Sequence, residues 1–327
     1  MFKTRVTELL KIRYPILMGA MHRLSSAEMV GAIAEAGGMG FIPAAAFADA
    51  GMLRKEIRRA KDLTDKPIGL NISLIPSVHP GERIREIIET GIEEKVGAFE
   101  TAGGSPESFL PGIREAKIPV IHKVPQVRYA KKAEALGVDT VILIGFEGGG
   151  FIGPEEITTM TLANHAARSL SIPVIAAGGI VDGRGLIAAL ALGAEGVLMG
   201  TRFIASREAR LHENFQNWMT ATKEGDTKVL LRSFNSPIRV IRNGVTEKVA
   251  EMEKEGKPIA DIFAVVGPAR EIDCHRSGDT EGSLFGVGQG VTLIDEVKGI
   301  KEIIADIIAE AEEVVGRIRK IAAGQET

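Results

Sequence analysis

Short apolar runs alternate with amphipathic stretches up to Arg202, and this alternation limits the fold more than any other feature of the chain. Apolar runs of four or five residues bounded by Pro, Gly or Asp are typical of strands buried in a parallel sheet that helices cover. The sequence predicts eight such strands, at 15–18, 39–42, 68–72, 97–100, 120–123, 140–144, 174–177 and 196–199. It predicts helices between them, at 26–36, 52–62, 81–90, 107–116, 126–136, 161–170 and 183–192.

Eight similar strand and helix units favour a closed barrel over an open sheet. A (β/α)8 TIM barrel needs about 250 residues, and the 327 residues of this chain leave room for an appended region. An open doubly wound sheet is the alternative, but no GxGxxG turn of that fold follows the first predicted strand. We therefore expect an α/β protein with a closed TIM barrel.

The alternation ends after Arg202. Residues 206–297 mix polar helical segments with glycine-rich loops, and the last helix-like stretch carries apolar residues at helical spacing. The predicted division is a barrel over 1–205, a mostly helical C-terminal cap or substrate region over 206–297, and a helix within 298–327 that packs back on the barrel. The cap has two open interpretations. In the first it is a structural appendage or a dimer contact, and in the second it is a gate for the substrate.

Composition narrows the classes of partner. The 40 basic and 43 acidic residues give a net charge of -3 and form no basic stripe, so we expect a small-molecule substrate and neither nucleic acid nor membrane. The single cysteine, Cys274, has no partner for a disulfide, and no Cys/His cluster suggests a metal site. No signal-peptide core or apolar run of membrane-spanning length is present, which predicts a cytoplasmic protein. A homodimer is compatible with these features.

Glycines directly follow the last two predicted strands. Chemistry in TIM barrels lies at the carboxyl ends of the strands, and a phosphate commonly binds after strands seven and eight. Gly178-Gly179 and Gly200-Thr201 occupy those two positions. Glycine lets backbone N–H groups approach a ligand closely, and a helix start nearby is expected to add a favourable dipole. The two turns together therefore predict a phosphate site.

Three further strand ends carry candidate residues. Lys123 ends the fifth strand and could stabilise negative charge on a ligand, or form a surface ion pair. Asn71 ends the third and could hydrogen-bond a planar heterocycle, or satisfy a turn. The glycines at 148–150 follow the sixth strand and predict a backbone that passes close to another group or bends sharply, with a flexible loop as the alternative. His122 is expected to face outward or to fill a polar niche.

Six motifs in order resemble the nitronate monooxygenase family. They are PILMGAM at 15–21, GLN at 69–71, VIHK at 120–123, the glycine loop at 148–153, AGG at 177–179 with DGRG at 182–185, and MGTRF at 199–203. The resemblance continues through 278–280 and 288–290. The family includes nitronate monooxygenases, NADH:quinone reductases and flavin-dependent enoyl-acyl-carrier-protein reductases, and the resemblance implies FMN in a β/α barrel.

The resemblance also implies roles for individual residues. Ala20, Met21 and Asn71 would lie along the isoalloxazine ring, and Lys123 would lie beside its N1/C2 edge. Gly149 and Gly150 would border the flavin side chain. Its phosphate would be held by the residues of the two later turns, namely Gly178, Gly179, Gly200 and Thr201.

One position departs from the family pattern. Members commonly have a histidine in the Gly-Gly-His-x-Gly loop, and this chain has Phe151 there. A phenyl ring neither accepts nor donates a proton, so any step that relies on the histidine is in doubt and no catalytic residue is assigned. His22, directly after Met21, is a candidate substitute, with a polar wall residue as the alternative interpretation.

Three reactions remain open at this point. The leading hypothesis is reduction, in which NADH or NADPH delivers hydride through FMN to a quinone, an enone or an enoyl thioester. Hydride transfer is the chemistry of the cofactor and tolerates the loss of a protein base. The second hypothesis is oxidation of an alkyl nitronate by O2, and the third is a barrel such as a sugar-phosphate isomerase that binds a phosphorylated ligand without redox chemistry.

Overall fold

The computed structural model describes residues 2–75, 78 and 80–325. Within these residues, eight parallel strands close a barrel in the order β1-β2-β3-β4-β5-β6-β8-β9, and β9 pairs with β1. The barrel strands are β1 (Ile16–Met18), β2 (Met39–Pro43), β3 (Gly69–Ser73), β4 (Ala98–Ala102), β5 (Val120–Val124), β6 (Thr140–Ile144), β8 (Val174–Ala177) and β9 (Gly196–Met199). The predicted TIM barrel is confirmed, and the open sheet is wrong.

Helices cover the outside of the barrel. They are α2 (Ala27–Glu35), α3 (Ala50–Leu63), α4 (Gly81–Glu93), α5 (Leu110–Glu115), α6 (Val127–Leu136), α7 (Thr159–Ser169) and α8 (Gly183–Ala191). Each predicted helix overlaps one of these. Outward-facing strand residues such as Phe99 and Val197 pack with buried helix residues such as Ile87 and Leu186 in one apolar cluster. Burial of this continuous layer is the main stabilising contribution to the barrel.

A short helix that the sequence did not predict closes the N-terminal end of the barrel. Helix α1 (Arg5–Leu10) begins with a capping box at Thr4 and places Val6 and Leu10 among the inward-facing strand residues. Gly69 is required in this interior because a Cβ there would lie 2.2 Å from the ring of Phe41. The interior is therefore a packed core, and chemistry in such barrels lies at the carboxyl ends of the strands.

The region after the barrel combines helices with a small sheet. Its elements are α9 (Thr201–Ile204), α10 (Glu213–Ala221), β10 (Thr227–Leu230), β11 (Ile238–Ile241), α11 (Gly244–Lys254), α12 (Ile259–Val266), α13 (Pro268–Ser277) and α14 (Ile300–Ala322). The sheet was not predicted. Its order is β10-β11-β7, where β7 (Gly150–Phe151) comes from the glycine loop after β6, so this loop and the later region share one sheet.

The last helix packs on the outside of the barrel. Helix α14 buries Ile300, Ile304 and Ile308 and lies against α8 and α2 on the outside of the barrel. The division of the chain at 205/206 and 297/298 stays a prediction. In the part of the chain that the structure covers, no helix is both long enough and apolar enough to cross a membrane.

Candidate active site

A cleft lies over the carboxyl ends of the barrel strands. It encloses about 670 Å³, including its open mouth. Its walls come from the turns after β1, β5, β6, β8 and β9 and from the segment 286–290. The lining residues are Gly19, Ala20, Met21, Lys123, Ile144, Gly148, Gly149, Ala177, Gly178, Gly179, Ile180, Val181, Leu198, Gly200, Thr201, Ile204, Gly286, Gly288 and Gly290. The predicted site residues line this cleft, with the exceptions of Asn71, Gly150, Phe151 and His22.

One corner of the cleft has the properties of an anion cradle. Gly178 and Gly179 both have positive φ, +104° and +73°, a conformation that glycine adopts without strain. The hydrogen bonds between described residues include none donated by the backbone amides of Gly178, Gly179 or Gly200. These partly buried donors are unused within the protein and lie together in the cleft, so this corner suits the oxygens of a phosphate.

The N-terminus of the neighbouring helix α8 is not free to bind a phosphate, because two carboxylates already accept from its amides. The Asp182 carboxylate caps α8 by accepting from the Gly185 amide at 2.7 Å, and Glu310 accepts from the Gly183 amide at 2.9 Å. Both carboxylates already satisfy the helix N-terminus, whose dipole favours negative charge. A phosphate in this cleft would therefore depend on the two glycine turns rather than on α8.

The other end of the cleft carries a charged group. Lys123 Nζ lies 2.7 Å from Glu100 Oε1, and the Lys123 side chain remains 22% exposed toward the cleft while the Glu100 side chain is 0% exposed. Asn71 Nδ2 donates to Glu100 Oε2 at 3.1 Å. Lys123 therefore forms an ion pair, but with a buried carboxylate rather than at the surface.

The glycine loop after β6 packs backbone against backbone on the segment 286–290. A Cβ at Gly149 would lie 2.5 Å from both Gly288 N and Val287 C. The Gly288 amide donates to Thr201 Oγ1 at 2.9 Å, and the Gln289 amide donates to the Glu147 carbonyl at 2.9 Å. The close backbone approach that the sequence predicted for 148–150 is therefore present, and it fixes one wall of the cleft.

Phe151 and His22 lie outside the cleft lining. Phe151 is 67% exposed, and its backbone pairs with Ile238 in the small sheet. The ring of Phe151 is therefore not part of the cleft wall. His22 is exposed, and its pKa is lowered mainly by the loss of water around part of the ring and also by the charge of Arg23.

His122 faces outward, toward the helical layer. This is one of the two positions that the sequence predicted, the other being a polar niche. The ring is buried, its Nδ1 lies 2.8 Å from Thr101 Oγ1, and burial lowers the pKa of His122 to about 4. Inward and outward side chains alternate along a strand. Lys123, its neighbour, therefore faces the cleft while His122 does not.

Sequence reasoning missed two features of the cleft. One is Glu100, the last residue of the fourth predicted strand, and a carboxylate at the carboxyl end of a barrel strand is a site signal. The segment 286–290 contributes Gly286, Gly288 and Gly290 to the lining. Glycine at every second position was the available signal for a backbone that approaches another group closely.

Fold and cleft together define a class of protein, the TIM-barrel enzymes, whose chemistry lies over the carboxyl ends of the strands. The chain belongs to the nitronate monooxygenase family, whose sequence profile matches residues 3–310, and it is an oxidoreductase. Flavin dependence is typical of this family.

Three similar proteins illustrate its range. The chain is 34% identical to the (3aS,4S,5R,7aS)-5-hydroxy-7a-methyl-1-oxo-octahydro-1H-indene-4-carboxyl-CoA dehydrogenase of Rhodococcus jostii, over 94% of this chain and 96% of that one. It is 30% identical to a probable nitronate monooxygenase of Staphylococcus saprophyticus, over 96% and 99%. It superposes on FabK from Thermotoga maritima with a TM-score of 0.91 at 40% identity, covering 98% and 100% of the two chains.

Proposed function

We propose that this protein is an FMN-dependent reductase that takes hydride from NADH or NADPH and reduces an electron-poor acceptor. One observation carries the proposal. Lys123 is the only ionisable side chain among the described residues that line the cleft, so the lining offers a cation but no general base. Hydride transfer needs positioning and electrostatic support rather than a protein base, which suits such a lining.

The residues of the cleft fit FMN. Amides of Gly178, Gly179 and Gly200 would bind its phosphate, and Thr201 would flank it. Ala20 and Met21 provide apolar surface for the ring, and Lys123 supplies positive charge beside it. When bound, FMN would supply the redox chemistry of the site, with hydride arriving from a nicotinamide and leaving to the acceptor.

Thioesters are the favoured class of acceptor, with quinones and enones as the other candidates. A relative that is 34% identical over nearly its whole length is named as a carboxyl-CoA dehydrogenase, which supports a thioester substrate here. Apolar residues of the cleft wall, such as Ile144, Ile180 and Ile204, suit the flat uncharged part of such a molecule.

Replacing Gly200 with alanine should separate phosphate binding from folding. A Cβ at Gly200 would meet no protein atom closer than Met21 Sδ, at 3.8 Å, so the fold has room for it. The added methyl group would instead enter the space beside the free amides. We expect unchanged urea unfolding of the apoprotein and FMN binding weakened roughly tenfold or more, an effect of at least about 1.4 kcal/mol. Riboflavin, which has no phosphate, provides the control ligand and should bind both proteins equally.

Anaerobic stopped-flow absorbance tests the proposed reaction. The FMN-loaded protein is mixed separately with NADH, NADPH and propyl-2-nitronate. We expect fast bleaching of the flavin by a nicotinamide. Bleaching by the nitronate alone would overturn the proposal and establish nitronate oxidation, the alternative function. A protein that takes up no flavin at all would favour the non-redox phosphate-binding barrel.

A further inference from the structure

Glu100 is a fully buried carboxylate at the open end of the barrel. Its side chain is 0% exposed, and carboxylates are almost never fully buried unless they are paired. Its two partners are Lys123, at 2.7 Å, and Asn71, at 3.1 Å. Each partner belongs to a different strand. One buried group on β4 therefore connects two residues of the neighbouring strands β3 and β5.

The strand register explains why these three side chains meet. Asn71 and Glu100 are direct partners across β3 and β4, and Glu100 and Ile121 are direct partners across β4 and β5. Ile121 belongs to the inward-facing apolar cluster. Lys123 is two residues further along β5 and therefore points to the same side, one layer nearer the cleft. The contact is built into the barrel and does not depend on a flexible surface side chain.

Stability alone does not account for this arrangement. Removing two charges from water costs several kcal/mol per ion, and apolar residues of similar volume often stabilise a protein as well or better. The layers below Glu100 are filled by residues such as Ala98 and Phe41, so an apolar side chain would continue the existing packing. The carboxylate therefore calls for an explanation in terms of what it does to its partners.

The pairing restricts what each partner can offer a ligand. Asn71 donates its Nδ2 to Glu100, so its Oδ1, an acceptor, is the group left for another molecule. Lys123 has three N–H donors, and Glu100 is its partner among the described contacts, so donors remain directed at the cleft. A flavin ring carries both an N–H and carbonyl oxygens on its pyrimidine edge, which match an acceptor next to a cation.

We infer that Glu100 is a positioning residue, which holds Lys123 and Asn71 against the pyrimidine edge of the flavin and lowers the positive charge that this edge presents to the cofactor. The inference rests on the proposed binding of FMN. Positive charge beside N1 stabilises the anionic reduced flavin, and the Glu100 carboxylate opposes part of that effect from 2.7 Å behind the ammonium group.

Glu100→Gln should therefore favour the reduced flavin. The amide keeps the shape of the side chain and can still accept from Asn71, but it removes the negative charge. We expect the ratio of the FMN dissociation constants for the oxidised and reduced forms to rise roughly tenfold, which is an increase of about 30 mV in the midpoint potential of a two-electron couple. Glu100→Asp, which keeps the charge, should change the ratio less than Glu100→Gln does.

The potential is measured by anaerobic reduction with dithionite in the presence of a reference dye, on FMN-loaded wild-type and variant proteins. Glu195→Gln is the control, because it removes an equal charge at the opposite end of the barrel, where Glu195 pairs with Arg5. A raised potential in Glu100→Gln, with none in Glu195→Gln, would support the inference. An unchanged potential together with lower stability would overturn it and leave Glu100 a purely structural role.

This measurement separates the inference from the function on which it rests. Dithionite replaces the nicotinamide and no acceptor is needed, so the potential is readable even if NADH and NADPH fail to reduce the protein. Failure of the nicotinamides would overturn the proposed reductase alone. Failure of the wild-type protein to bind FMN would overturn both.

Discussion

Lys123→Met is expected to lower the free energy of unfolding of the apoprotein by about 3 kcal/mol, because it leaves the Glu100 carboxylate buried without its counter-ion. Glu100 is 0% exposed and has no other cation within ion-pair distance among the described residues. Its carboxylate also accepts a hydrogen bond from the side-chain amide of Asn71. Urea unfolding of the FMN-free protein measures the effect without any contribution from cofactor binding.

The double variant Glu100→Gln/Lys123→Met provides the matched control. It removes both charges, so we expect most of the lost stability to return, leaving a deficit of about 1 kcal/mol. If Lys123→Met alone is as stable as the wild type, the ion pair does not stabilise the barrel. Weaker FMN binding in Lys123→Met has two explanations, the loss of a contact with FMN and the loss of barrel stability. The double variant restores the stability. Weak FMN binding in the double variant as well is therefore the evidence for a direct role of the lysine.

Gly149→Ala is expected to open one wall of the cleft. The added Cβ would lie 2.5 Å from two backbone atoms of the segment 286–290, neither of which can rotate away. Overpacking of this kind costs about 1–3 kcal/mol. We expect the segment to shift from the loop, with the loss of the hydrogen bond from Gly288 to Thr201, and FMN binding to weaken roughly tenfold or more. Fluorescence titration of the apoprotein with FMN measures this loss.

Gly150→Ala is the matched control from the same loop. A Cβ there would meet nothing within 4 Å, although its φ of +69° makes any side chain costly by about 1–2 kcal/mol. Its effect on FMN affinity should therefore be smaller than that of Gly149→Ala, while both variants lose some stability. Equal losses of FMN affinity in the two variants would mean that backbone strain in the loop weakens FMN binding. The contact between Gly149 and the segment 286–290 would then have no effect on it.

The barrel could be predicted from sequence because its signals are local. A strand buried on both faces needs a continuous apolar run, and each run here ends at a Gly, Pro or polar residue that stops it. The ends of the predicted strands differ from the observed ones by at most two residues. Helix α1 was missed because six residues give too little periodicity to recognise, although Thr4 and Thr7 form its capping box.

The small sheet could not be predicted for a different reason. Strand β7 has two residues, Gly150 and Phe151, and pairs with β11 about 90 residues later. Nothing local distinguishes such a strand from a glycine-rich loop, because its only stabilisation is the pairing itself. That pairing also sets the direction of the Phe151 side chain. Its 67% exposure therefore could not be predicted from the loop motif.

The sequence by itself determined the closed barrel and the strand ends at which a ligand is expected, because apolar periodicity and glycine placement are properties of short segments. Only the tertiary structure decided that Lys123 faces a buried Glu100, that Asn71 meets the same carboxylate, and that the segment 286–290 closes the cleft against Gly149. These contacts join residues on different strands or distant loops. Their geometry depends on strand register and on closure of the barrel, which no local pattern encodes.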